Sequence, residues 1–324
     1  MSHVIRFHRN GGPEVLQFEA VEPPAPAPGE VRLRQRAVGL NYIDTYHRGG
    51  LYPVSLPSGI GQEGAGVVEA VGEGVTEVAV GDRVAYAGGP LGAYAEVRNI
   101  GAGLLVRLPD AISFEEGAAM MMQGLTAQYL LRSTYPVQAG ETVLVHAAAG
   151  GVGSIMVQWA KALGATVIGT VGSDAKAEKV RALGCDHVIV YTREKFPERV
   201  REITGGAGVP VVYDSIGKDT FLDSLACLRR RGLMVSYGNA TGPVPPFECA
   251  LLMKMGSLYV TRPTLFDYIA DRGELLERAG ELFEVVAAGK VKIEIGQRFA
   301  LREAAEAHRA LEARLTTGST VLLP

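Results

Sequence analysis

Between Val143 and Gly153 the chain reads VLVHAAAGGVG, an apolar run that breaks on alanines and glycines before entering the helical pattern VGSIMVQWAKALG. A loop at such a junction leaves backbone N–H groups unpaired at the positive end of a helix dipole, an arrangement that attracts a pyrophosphate. Aligned on the dinucleotide fingerprint, the stretch is Ala148-Ala149-Gly150-Gly151-Val152-Gly153. Gly150 would let a phosphate approach the backbone, and Gly153 would let helix and strand pack closely. Ala148 stands where the first glycine usually does. A ligand-free turn would use glycines too, but this loop sits at the first strand-to-helix junction of an alternating series, which favours dinucleotide binding. The second strand of that series, TVIGTV, ends on Gly172-Ser173-Asp174-Ala175-Lys176. An acid there would accept hydrogen bonds from a ribose 2′-hydroxyl and repel a 2′-phosphate. Asp174 lies near the expected spacing. Ser173 and Asp174 also read as the start of the next helix, where oxygen caps and negative charge are favoured. On that preferred reading, Ser173 and Lys176 point to NADPH.

The elements that must position these residues follow from periodicity. From Glu141 onward strand-like runs alternate with helical ones: ETVLVHA, ATVIGTV, HVIVY, VPVVYDS, LMVSYG and SLYVTRP, the first three followed by helices of about 10 to 13 residues. That alternation predicts a doubly wound parallel sheet covered on both faces. Tyr191 and Ser215 end its third and fourth strands, the edge at which such sheets bind ligands. Before residue 124 the texture differs: EVRLRQRAV, GAGVVEAV and DRVAYA are short β-rich runs separated by Gly and Pro turns, which predicts a mostly β domain. Beyond Leu265 come two helical patterns and a strand-like TVLLP, expected to return to the first domain. The expected organisation is 1–123, 124–264 and 265–324.

Composition narrows the function. The 324 residues allow two cores, and 47% hydrophobic with 21% charged residues is ordinary for a globular protein. With a net charge of −3 and no basic block, nucleic acid is not an expected partner. The opening MSHVIRFHRNGG lacks the apolar run of a signal peptide, and nothing approaches the roughly 18 uncharged residues of a membrane span. A soluble cytoplasmic protein is expected. Cys185, Cys227 and Cys249 are odd in number and far apart, so no disulfide framework is expected.

Taken together, GGPEVLQ, VGLNYIDTYHRGGLYP, PSGIGQEGAGVV, GDRVAYAG, HAAAGGVGS, QWAKALGATVIGTVGS, VVYDSIG, RRGLMVSYGN and TRPTL resemble, over essentially the whole chain, one enzyme family. These are the zinc-independent NADPH:quinone oxidoreductases related to zeta-crystallin, in the medium-chain dehydrogenase/reductase superfamily. The resemblance implies a GroES-like catalytic domain completed by the C-terminal segment, a Rossmann domain, NADPH and a quinone in the cleft between them, and a homodimer. Carried onto matching positions, cofactor contacts fall at Tyr42, Ile43, Asp44, Thr45, Tyr46, Thr126 and Tyr129. They continue at Gly150, Gly151, Val152, Gly153, Ser154, Gly172, Ser173, Lys176, Tyr191, Ser215, Gly238, Asn239 and Arg314. Lys176, Tyr191 and Arg314 would surround the 2′-phosphate, although Arg314 by itself reads as a surface helix charge.

Zinc-dependent relatives hold their catalytic metal with a Cys in the loop corresponding to GLNYID, a His in a Gly-His-Glu motif and a later Cys or His. This chain has Asn41 and Gln62 at the first two positions, both poor zinc ligands, and its six histidines show no ligand pairing, so no metal is expected. Glu63 reads as a buried structural carboxylate and His47 as polar lining. Without a Lewis acid the acceptor must be electrophilic by itself, as a quinone is. Asn41, Tyr46 and Tyr52 are the catalytic candidates, amide and phenol donors to a quinone oxygen. Packing would equally account for Tyr42 and Tyr52, and cofactor contact for Tyr46. Two alternatives stand beside quinone reduction. One is a zinc-free reductase of 2-alkenals, enones or enoyl thioesters. The other is an NADPH-binding protein with a crystallin-like or RNA-binding role, the latter disfavoured by the negative charge. The runs RRRGLMVSYG and SLYVTRP are expected to form an edge that pairs across a twofold axis.

Overall fold

The computed structural model describes Met1–Pro324. Along the first part of the chain run β1 (Ser2–Phe7), β2 (Gln17–Val21), β3 (Glu30–Leu40), β4 (Ser58–Gly59), β5 (Glu63–Val71), β6 (Arg83–Ala87), β7 (Val97–Gly101) and β8 (Val106–Arg107). Helices α1 (Tyr42–Gly49) and α2 (Phe114–Tyr129) lie among and after them. The middle holds β9 (Thr142–Val145), β10 (Thr166–Val171), β11 (His187–Val190), β12 (Val209–Asp214), β13 (Leu228–Ser236) and β14 (Tyr259–Thr261). Its helices are α3 (Gly151–Ala162), α4 (Asp174–Ala182), α5 (Phe196–Ile203), α6 (Phe221–Cys227), α7 (Ala250–Lys254) and α8 (Leu265–Tyr268). Last come α9 (Arg272–Ala287), β15 (Ile295–Ala300), α10 (Ala304–Glu312) and β16 (Ser319–Leu323).

These elements form two compact units. The first comprises Met1–Leu125, Ile269–Ala287 and Ile293–Pro324, the second Thr126–Tyr268 with Ala288–Lys292. In the first, one sheet runs β15-β16-β3-β5-β6-β8, with β7 also on β3, and a smaller one runs β2-β1-β4. All pairings are antiparallel except β15 with β16. The alternation of EVRLRQRAV explains β3: Val31, Leu33, Gln35 and Ala37 are buried, while Arg34 and Arg36 are exposed. Its inner face joins Ile60, Val68, Tyr86, Ile100 and Leu322 in one core.

In the second unit a six-stranded, fully parallel sheet has the order β11-β10-β9-β12-β13-β14. Counted from β9 this is 3-2-1-4-5-6, the doubly wound order, with its switch point between β9 and β12. Helices cover both faces, so its central strands are mostly apolar; every residue of β12, VPVVYD, is buried. Leu144, Ile168, Ile189, Phe196, Val212, Phe221 and Leu225 share its core. The α/β class, a mostly β domain with a doubly wound parallel sheet, is thus as the sequence leads one to expect. No helix is long and apolar enough to cross a membrane.

Candidate functional site

The glycine loop lies between β9 and α3, at the carboxyl edge of the parallel sheet. His146 N donates to Tyr213 O at 3.0 Å, and its buried ring sits between Thr170 Oγ1 (2.8 Å) and Ser224 Oγ (2.9 Å). That clamp ties β9 to β10 and α6 just before the chain turns. Ala147 then adopts φ 50°, a left-handed conformation that non-glycine residues seldom take. Its carbonyl accepts Gly150 N at 2.9 Å. Helix α3 begins after Gly150, which as a glycine supplies no side-chain cap, so the N–H groups of Gly151, Val152 and Gly153 in its first turn must be met from outside the helix. A Cβ on Gly153 would lie 2.3 Å from Ala147 O and 2.9 Å from Ala148 Cα, which is why only glycine allows this approach. Ala148 is tolerated at the usual glycine place because β10 offers it Gly169; a Cβ there would stand 2.9 Å from the Ala148 methyl. Ser154 is buried in the first turn, its Oγ bonded to Gly151 O at 3.0 Å.

The remaining candidates of this unit gather at neighbouring strand ends. Gly172 and Ser173 follow β10, Tyr191 follows β11, Ser215 follows β12, and Gly238 and Asn239 follow β13. Ser173 caps α4, its Oγ accepting Lys176 N at 3.4 Å, and Asp174 opens that helix while bonding Arg193 Nη1 at 2.6 Å. The helix-start reading of Ser173-Asp174 is therefore what the chain adopts, and the Asp174 carboxylate is paired with a cation. Tyr191 is 43% exposed, with its phenol against the bare face of Gly172. Asp214, fully buried, accepts from Ile216 N, Gly217 N and Thr220 Oγ1, and so shapes the turn that carries Ser215. Gly238 packs on Ser215, whose carbonyl accepts Ala240 N. Thr126 and Tyr129 belong to α2; both are buried, and the Tyr129 ring stacks on Tyr268 with centroids 4.2 Å apart.

The first unit holds the other set. The carboxylate of Asp44, third residue of α1, reaches back to accept Asn41 N at 2.9 Å, one half of a capping box. The Asn41 side chain, which would supply the other half, is turned aside: Nδ2 donates to Glu63 Oε2 at 2.6 Å and Oδ1 accepts from Gln123 Nε2 at 3.2 Å. Tyr42 and Tyr46, one turn apart, meet edge to face at 5.6 Å; Tyr46 meets Tyr52 at 5.3 Å, and Tyr52 meets His47 at 5.8 Å. These four rings are half-buried, as is Ile43, whereas Thr45 is buried and bonds Tyr42 O at 2.7 Å. Nδ1 of His47 is buried without a partner, and burial lowers its pKa. Arg314 follows α10 at φ 59°, close enough to Tyr42 that its charge opposes the burial-driven rise of that phenol's pKa.

A second polar chain anchors α1. Arg48, 3% exposed, donates to Gly11 O (3.1 Å), His308 Nδ1 (2.9 Å) and Glu312 Oε1 (2.6 Å). A guanidinium can only donate, so His308 Nδ1 accepts and its Nε2 carries the hydrogen that reaches Tyr94 Oη at 3.1 Å. Tyr94 in turn donates to Asp44 Oδ2 at 2.9 Å. Burial, reinforced by Arg48, holds His308 neutral with its pKa pushed down to about 3; burial lifts Asp44 to about 7 against the hydrogen bonds from Asn41 and Tyr94.

At the positions where zinc relatives place ligands, Asn41 is engaged as above and Gln62 Nε2 donates to Gly89 O at 2.7 Å. No grouping of three or more His, Cys, Asp or Glu side chains could hold a metal ion. Sequence reasoning passed over Gln123, Ser319, Arg48 and His308. The one available signal was Glu63, a carboxylate immediately before the β-rich run GAGVVEAV.

Residues 27–110 match the alcohol dehydrogenase GroES-like domain family, and residues 151–282 the zinc-binding dehydrogenase family. A quinone oxidoreductase of Pseudomonas aeruginosa is 57% identical over 325 residues, covering all of both chains. A 2-haloacrylate reductase of a Burkholderia species is 49% identical over 98% of each. The solved quinone oxidoreductase of Escherichia coli complexed with NADPH superposes with a TM-score of 0.98 at 52% identity, over 99% of this chain and all of that one. With a full-length likeness of this degree added to the doubly wound sheet and its strand-end residues, the chain belongs to the quinone oxidoreductases of the medium-chain dehydrogenase/reductase superfamily.

Proposed function

We propose that this chain reduces quinones with NADPH and uses no metal. The observation that carries the reading is the full-length likeness, at a TM-score of 0.98, to a quinone oxidoreductase solved with NADPH. NADPH, when bound, supplies the hydride; the chain's part is to bind, orient and stabilise charge. The N–H groups of Gly151, Val152 and Gly153 take the pyrophosphate at the dipole end of α3. Ser173, Lys176 and Tyr191 take the 2′-phosphate, Arg314 is a further cation for the cofactor, and Ser215, Gly238 and Asn239 contact it at the next strand ends. An acceptor oxygen gains negative charge as hydride arrives, and the Tyr46 and Tyr52 phenols with the second N–H of Asn41 are the donors that meet it. The chain works as a cytoplasmic homodimer joined along β14, the edge strand, where Tyr259 is 61% exposed.

Steady-state reduction of 1,4-benzoquinone by chelator-treated protein, with NADPH against NADH, tests the reading. Turnover that favours NADPH supports it; tight NADPH binding with no quinone turnover overturns it. A second reading, reduction of a conjugated alkene, draws support from the 49% identity to a 2-haloacrylate reductase. A kcat/KM for 2-haloacrylate above that for benzoquinone would select it.

A further inference from the structure

Asn41 does not stand alone. Four side chains of the first unit form a buried line: Glu63 Oε2 to Asn41 Nδ2 at 2.6 Å, Asn41 Oδ1 to Gln123 Nε2 at 3.2 Å, and Gln123 Oε1 to Ser319 Oγ at 2.6 Å. Ser319 Oγ also lies 2.9 Å from Ala119 O, a second acceptor for its single hydrogen. The far oxygen of Glu63, Oε1, accepts Met122 N at 2.7 Å. All four side chains are buried, Glu63 completely. The fold makes room for the carboxylate: a Cβ on Gly39 of β3 would come within 2.1 Å of Glu63 Oε2.

This line has two self-consistent directions. With Glu63 ionised, hydrogens run Ser319 to Gln123, Gln123 to Asn41 and Asn41 to Glu63. With Glu63 protonated on Oε2, its hydrogen requires an acceptor, so the Asn41 amide turns over and presents Oδ1; Asn41 Nδ2 then donates to Gln123 Oε1, and Gln123 Nε2 donates to Ser319 Oγ. Ser319 moves its hydrogen to Ala119 O, and every group remains satisfied. Between the two states the uncommitted N–H of Asn41 passes from the Glu63 side of the amide to the Gln123 side.

We propose that Glu63 is a positioning residue whose protonation reverses the Glu63–Asn41–Gln123–Ser319 line and so sets which side of Asn41 offers a donor to the acceptor. The proposal rests on the quinone-reductase reading for the identity of that acceptor. Burial lifts the Glu63 pKa to about 8, against hydrogen bonds from Asn41 and Met122 and with help from the Asp44 charge, which places the reversal near neutral to mildly alkaline pH. The ionisable groups facing Glu63 are Asp44 from α1, Tyr86 from β6 and Tyr94 from the loop beyond it. Arg98 of β7 bonds Tyr86 rather than Glu63; α2 presents Gln123 and backbone amides, and β3 presents Gly39.

Glu63→Gln tests the idea because its orientation is dictated. Met122 N requires an oxygen opposite it, so the new Nε2 must face Asn41 and donate, fixing the line in the direction of the protonated state at every pH. Wild type should show an inflection in benzoquinone kcat/KM between about pH 7 and 9, and the Gln variant a flat profile at the acid-side value, with NADPH affinity within twofold of wild type. In parallel, side-chain amide ¹⁵N–¹H signals of Asn41 and Gln123 should titrate together in wild type at that same midpoint and stay at their acid positions in the variant. A variant that loses activity evenly yet keeps the inflection, or wild-type amide signals that do not move together, overturns the proposal. Absence of all quinone turnover would instead remove the functional reading, and the amide titration would still decide whether the line reverses.

Discussion

Replacing Gly153 by alanine tests the loop most directly, because its neighbours are backbone and cannot rotate away. The added Cβ would stand 2.3 Å from Ala147 O, 2.9 Å from Ala148 Cα and 3.0 Å from Ala147 C. Relief to ordinary contact requires loop and helix to part by about 1 Å, and the residue that must move, Ala147, is already held at φ 50°. Overpacking of this kind costs about 1–3 kcal/mol, or a Tm lower by roughly 3–10 °C. The same shift carries the N–H groups of Gly151–Gly153 out of line with a pyrophosphate; losing charge-assisted hydrogen bonds worth about 1.5–3 kcal/mol weakens NADPH roughly 10- to 100-fold. The assay is a titration of bound-NADPH fluorescence beside thermal unfolding. Gly150→Ala is the control: its φ is −80° and its Cβ would meet only Ala147 O, at 3.2 Å, so Tm should hold while NADPH still weakens. Gly153→Ala with wild-type Tm would refute the packing argument, and a lowered Tm with wild-type NADPH affinity would refute the phosphate role of the loop.

Lys176→Ala should cut the NADPH-over-NADH preference in kcat/KM by about 10-fold or more, the scale of one charge-assisted contact; an unchanged ratio would remove Lys176 from the phosphate site. Tyr46→Phe and Tyr52→Phe should each lower benzoquinone kcat/KM by about 2- to 10-fold, with NADPH affinity unaltered, as expected for one neutral hydrogen bond; full activity in both would discard the phenols as donors. The pKa of Asp44, about 7 in the fold, lies above its unfolded value, so its stabilising proton is fully present below about pH 4 and lost as pH rises through 7. Wild type should therefore lose stability relative to Asp44→Asn across that window, by up to about 1.4 kcal/mol per pH unit, and a pH-independent difference in Tm would contradict the burial argument.

The parallel sheet was legible because both its periodicities are local: apolar strands and helical stretches succeed one another from Glu141 onward, and the glycine loop falls at the first junction. Tyr191 and Ser215 could be set at strand ends in the same way, since an element's last residue can be read without knowing its neighbours, whereas Gly238 and Asn239 came only with the family resemblance. The Ala148 departure was visible but not its remedy, because Gly169 lies in another strand. Least legible were the buried lines under α1. Arg48 and His308 are 260 residues apart, and each reads singly as a helix surface residue; only the packing of α1 against α10 and Tyr94 makes one the other's donor. Gln123 and Ser319 were silent for the same reason. Glu63 was recognised as a buried carboxylate, but its coupling to Asn41 depends on Gly39, which matters only once β3 lies beside β5.

β16 lies between β15 and β3, pairing Thr320 with Leu40 and Leu322 with Val38. During synthesis the edge of β3 thus waits for a strand made about 280 residues later, on the order of tens of seconds at ribosomal speed. The second unit suffers little such delay: its sheet comes entirely from Thr126–Tyr268, and its core can close while the rest is still being translated. Slowing the ribosome between Tyr268 and Ser319 therefore prolongs the exposure of an open sheet edge in the first unit, while every strand of the second unit's sheet has already been made.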